Sequence, residues 1–147
     1  MKHLILATGL MAAALPAWAE DIIRVKSTSD VGVTMDALEA AVTGAGATVF
    51  ARVDHAAGAT GIGMELPPAQ LLIFGNPALG TPAMQADPLA GLFLPLKVLV
   101  YQDDTGVWLA YQKVDDMLDD LKIPDDAEYV GKMEGALKAL TTKAAGG

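Results

Sequence analysis

The sequence predicts an α+β protein: a two-layer sandwich with a mainly antiparallel sheet of four to five strands and helices on one face. Three observations carry that prediction. Short strand-like segments outnumber the helical ones through the middle of the chain. Two of them, Lys97 to Gln102 and Val107 to Gln112, are joined by Asp103-Asp104-Thr105-Gly106, a hairpin signal that makes them antiparallel neighbours. Helical patterns do not alternate regularly with strands, as a doubly wound parallel sheet would require.

The elements follow in order. Ile22 to Lys26 alternates apolar and charged residues, the period of a half-buried strand. Thr28 to Val33 reads as a link, with Thr34 as the N-cap of a helix whose Met35, Leu38 and Val42 share one face. Gly44 and Gly46 end it. Thr48 to Asp54 is a strand, with Val49, Ala51 and Val53 on one side and Phe50 and Arg52 on the other. Asp54 caps a short segment through Gly61. Leu71 to Phe74 is a buried strand behind Pro67-Pro68. Gly75-Asn76-Pro77 turns the chain, and Thr81-Pro82 pairs an N-cap with proline at the first helical position, starting a short helix to Asp87. Asp115 to Leu121 and Asp126 to Leu140 are helical, and residues 144–147 form a loose tail.

The front of the chain predicts export. Lys2 and His3 precede the uncharged apolar run Leu4 to Leu15, and Ala17-Trp18-Ala19 supplies a small-x-small cleavage site after Pro16. Residues 1–19 therefore read as a signal peptide and 20–143 as one domain, periplasmic or secreted, with no stable membrane span once the leader is removed, because the run falls short of the roughly 20 residues a span needs. The 147-residue chain carries a net charge of −8, and loss of Lys2 takes it to −9. No basic cluster exists, so nucleic acid is not an expected partner. The absence of cysteine excludes disulfides, thiolate catalysis and covalent c-type haem attachment.

Several blocks match a known pattern in order: Asp54-His55-Ala56-Ala57, Leu71 to Pro77, Gly80-Thr81-Pro82-Ala83-Met84-Gln85, Leu94 to Val100, and Val107-Trp108 with Tyr111. Over about residues 25–123 the chain resembles the DUF302 family, whose biochemical activity is not established. The resemblance implies a compact α+β sandwich that can pair into homodimers and occurs in many exported bacterial proteins. Ala83, Tyr101 and Gln112-Lys113 depart from the family pattern.

The polar residues in these blocks define a hypothetical ligand site: His55, Asn76, Thr81, Met84, Gln85 and Tyr111, taken to share one cleft because they fall near strand ends. His55 is the one histidine after residue 19 and suits a base or a ligand. The loop leading into the predicted helix at Pro82 offers free N–H groups to an anion. His55 with Met84 and Met64 is a minimal copper set, and His55 with Met84 a haem axial pair, although no spacing motif supports either. Asp115, Asp116, Asp119 and Asp120 read as a solvated acidic helix face. No hydrolase motif is present and no cofactor is named by the sequence, so the reading leans away from an enzyme. The expected function is a small-ligand-binding or accessory domain, with a copper or haem protein or a homodimeric interaction domain as alternatives.

Overall fold

A computed structural model describes residues 21–124 and 126–146; the expected signal peptide lies outside them. The element order is β1 (Ile22–Lys26), α1 (Val31–Gly44), β2 (Thr48–Asp54), α2 (His55–Gly61), β3 (Ala69–Gly75), α3 (Pro77–Ala86), α4 (Ala90–Phe93), β4 (Leu96–Asp103), β5 (Gly106–Gln112), α5 (Val114–Leu118) and α6 (Glu128–Ala144). The five strands form one sheet in the order β1-β5-β4-β3-β2, and every neighbouring pair is antiparallel.

Helices α1 and α6 pack on one face. Met35, Leu38 and Val42 of α1 and Met133, Leu137 and Leu140 of α6 meet Leu72, Phe74, Val98, Val100 and Leu109 of the sheet. The period of 3.6 on the helices and the period of 2 on the strands thus converge on one core. No helix among the described residues is long and apolar enough to cross a membrane.

Four expectations need correction. Helix α1 starts a turn early: Asp30 accepts from Val33 N at 2.9 Å, and Thr34 turns into the core instead, its hydroxyl 2.6 Å from that of Ser27. A capping carboxylate and a satisfied buried hydroxyl together stabilise the longer helix. In β2 the register shifts between Val49 and Ala51, a bulge at Phe50. The extra residue reverses the side-chain parity, so Val49 pairs with core-facing Phe74 while Arg52 pairs with Leu72 on the helix side. There the Arg52 guanidinium donates to Asp36 at 2.6 Å and Glu39 at 3.2 Å, both on α1. The tail is not loose at its start: Ala144 ends α6, and Ala145 is buried, its carbonyl accepting from Thr28 N at 3.2 Å. The hairpin loop is shorter than expected, because Asp103 already pairs with Gly106.

That hairpin is organised by one carboxylate. Asp103 accepts from Thr105 N at 2.8 Å, Thr105 Oγ1 at 2.6 Å, Trp108 Nε1 at 3.2 Å and Arg24 at 2.7 Å. The Thr105 hydroxyl and amide, helped by Arg24 and Trp108, hold its carboxyl down at about 2, below the ordinary 3.8. A depressed carboxyl contributes stability that is fully present above its unfolded value and is lost as pH falls through its folded one. An NMR titration should give Asp103 a midpoint of about 2, and Asp103→Asn should flatten the loss of stability between pH 3.8 and 2.

Candidate functional site

The site is built at one end of β3. Asn76 leaves the strand in extended conformation and caps α3, its Oδ1 accepting from Ala78 N at 2.9 Å, with Pro77 in the first turn. The helix therefore begins at Pro77 and not at Pro82. Thr81 is an interior residue and not a cap, and Pro82 lies within the helix. An Asn cap followed by proline is the stronger start signal, and it occurs five residues upstream. The early start closes the expected anion site. Ala78 N is held by Asn76 Oδ1, Leu79 N and Gly80 N donate to Asn76 O at 2.9 and 3.0 Å, and proline has no N–H to offer.

Between this helix, α6 and the Leu94-Pro95-Leu96 segment lies a groove of about 250 Å³. Asn76, Thr81 and Met84 line it together with Phe50, Leu79 and Met133. Phe50, at the bulge in β2, reaches the groove: its ring would meet a Cβ on Gly75 at 3.4 Å, with Pro95 at 3.5 Å. Gly75 thus sits where backbone, ring and proline approach closely. Met84, 40% exposed, lies within reach of both Gly80 and Gly91. Phe50 is 57% exposed, so the groove opens to solvent through an apolar rim. Sequence reasoning missed Phe50, Leu94, Pro95 and Met133. The Leu94 to Leu96 block was visible as a family motif, but the bulge and the α3–α6 packing leave no short-range signature.

The other expected site residues lie elsewhere. His55 opens α2 at the far end of β2, since Asp54 pairs with Gln70 while Thr48 pairs with Gly75. Six residues of strand, roughly 20 Å at 3.3 Å per residue, separate that end from Asn76. His55 is exposed. Its neighbour Asp54 acts as the expected cap, accepting from Ala57 N at 2.8 Å and from Gln70 Nε2 at 3.1 Å. The single cleft expected from the sequence is therefore divided. His55 and Met84 are too far apart to ligate one copper or one haem, and exposed Met64 follows α2, on the loop that leads into β3. Gln85 is on α3 but outside the groove lining.

Tyr111 points into the core, 6% exposed, and borders a separate hollow with Glu134 and Lys138. Burial pushes its phenol up, Glu134 adds to the rise, and a hydrogen bond with Thr141 opposes it. The acidic segment does local work: Lys113 pairs with Asp116 at 3.4 Å, and Glu134 accepts from Val114 N and Asp115 N at the start of α5. Among the described residues no group of three or more His, Cys, Asp or Glu is arranged to hold a metal ion.

A five-stranded antiparallel sheet backed on one face by two long helices, with an apolar groove at one sheet end, defines an α+β sandwich domain. The family model described as "Domain of unknown function DUF302" matches residues 23–140. The chain belongs to the DUF302 family. The crystal structure of an uncharacterized conserved DUF302 protein from Bacillus stearothermophilus shares the fold, with a TM-score of 0.76 over 84% of this chain and 97% of that one at 21% identity.

The chain is also 44% identical over 89 residues to the fluoride-specific ion channels FluC 1 of Brucella suis biovar 1 (strain 1330) and FluC 1 of Brucella abortus biovar 1 (strain 9-941). That stretch is 60% of this chain but only 35% and 33% of those proteins. The chain thus spans about a third of the length of the curated relatives it matches.

Proposed function

We propose that this chain is an accessory domain, exported by its N-terminal leader, that binds a small molecule in the groove at the start of α3. The observation that carries the reading is the groove itself. It is concave, mostly apolar, and edged by two polar side chains, Asn76 and Thr81, the usual make-up of a small-molecule site. Its apolar rim is costly in water, and a ligand offsets that cost. The partial match to the Brucella channels supports the accessory role, because there the matched stretch accompanies about twice its own length of other sequence.

Native mass spectrometry of the chain purified gently from its host tests the reading. The expected result is a mass excess of a few hundred daltons or less. Met84→Glu, which sets a carboxylate over the groove at an already exposed position, should lower occupancy at least tenfold without unfolding the protein. A bound mass that survives this substitution would move the site elsewhere.

A homodimeric interaction domain is the second reading, favoured by the sheet face opposite α1 and α6. The register aligns Val53, Leu71, Leu99, Ala110 and Arg24 across all five strands. Beside that row Trp108 pairs with Tyr101, and Arg24 stacks over Trp108 at 4.3 Å. Such a face is largely apolar and carries cations that cover its aromatic end. The same spectrum reports the number of subunits.

A further inference from the structure

We propose that the groove selects an uncharged aromatic molecule of one or two rings, an inference that rests on the groove reading above. None of the twelve residues lining the groove is ionisable, in a chain with 18 carboxylates and 10 Lys and Arg. The N–H groups that begin α3 are all engaged, as described above. Lys97, two residues beyond the lining Pro95, directs its ammonium to the carbonyls of Phe93 at 2.8 Å and Pro95 at 3.2 Å. A charged ligand would lose its hydration and find no counter-charge in return.

Size comes next. A dry cavity of about 150 Å³ holds benzene, so a groove of about 250 Å³ takes a substituted ring or a fused pair.

Shape chemistry then favours an aromatic over an alkyl chain. The Phe50 ring, the thioethers of Met84 and Met133, and the rings of Pro77 and Pro95 line the same space. Aromatic faces pair with aromatic edges, and sulfur contacts aromatic rings favourably. The Asn76 carboxamide, whose oxygen is already held by Ala78 N, leaves its amide donors for one acceptor on the ligand, and the Thr81 hydroxyl stands at the same rim.

Methionine-methyl NMR of the chain, reading the Met84 and Met133 signals, tests this with four probes: indole, cyclohexanol, benzoate and benzylammonium. Indole should move both signals saturably and bind at least tenfold more tightly than either charged probe. Gly80→Ala gives the positional control. Its Cβ would meet Leu94 Cδ1 at 3.7 Å and Met84 Cε at 3.9 Å, ordinary contacts that take up groove space without strain. Its melting temperature should be unchanged or raised, with indole binding weakened at least threefold. Benzoate or benzylammonium binding within threefold of indole overturns the charge selection and leaves the groove reading standing. Cyclohexanol matching indole overturns the aromatic selection alone. Indole binding that Gly80→Ala does not weaken overturns the placement. If no probe moves either methionine, the groove reading falls with the proposal.

Discussion

Phe74→Ala is expected to lower the unfolding free energy by about 3–5 kcal/mol, the range for truncating a buried phenylalanine. Phe74 is 2% exposed and stands on interior strand β3 between Val49 of β2 and Leu96 of β4. Its ring is among the largest fully buried side chains and joins the sheet to the layer of α1 and α6. Deleting it removes apolar burial and leaves a void that close-packed neighbours refill only in part. Urea unfolding measures the loss as a lower midpoint at an unchanged slope. A loss below about 2 kcal/mol would mean that the core collapses into the space more readily than this packing allows. The substitution also reaches the groove, because Leu96 lines it and Gly75 and Asn76 follow Phe74 directly. Weakened indole binding should therefore accompany the loss of stability.

Gly106→Ala should cost about 1–3 kcal/mol, the range for a residue forced into a sparsely populated backbone region. Gly106 has φ +134°, which a side chain rarely tolerates. It closes the tight β4–β5 connection by pairing with Asp103. The new Cβ would lie 3.2 Å from Lys26 Cε, but that side chain is flexible and can move aside. Backbone strain therefore dominates over the contact. The reading is checked by thermal unfolding together with the Trp108 fluorescence, because Trp108 Nε1 donates to Asp103 and Thr105 in the same hairpin. A loss under about 0.5 kcal/mol, small for a strained backbone position, with unchanged fluorescence would mean that the connection re-forms with another geometry.

Much of this protein was legible from the order of its residues. Local periodicity carried the strands, the hairpin and the helix faces: Met35, Leu38 and Val42 are buried where their spacing puts them, and Asp54 caps α2 as its residue type suggests. Nearest-neighbour chemistry is enough for such features, because a cap or an amphipathic stripe is specified within one or two turns. The fold class followed, since antiparallel pairing through a short loop leaves few alternative topologies. Three of the six candidate residues, Asn76, Thr81 and Met84, line one groove, and all three come from the short stretch between the end of β3 and the end of α3.

What needed tertiary structure was everything that depends on residues distant in sequence. The bulge at Phe50 reverses the faces of the strand beyond it and puts Arg52 on the helix side, an effect fixed by cross-strand pairing and invisible in a period-2 pattern. Strand direction put His55 a strand's length from Asn76, though both stand at strand ends. Competition between two plausible helix starts, Asn76-Pro77 and Thr81-Pro82, was settled in favour of the earlier one, where Ala83 could pack into the core. The groove exists only because α3, α6 and the segment before β4 converge on one end of the sheet, and that convergence is written in core packing rather than in any local run of sequence.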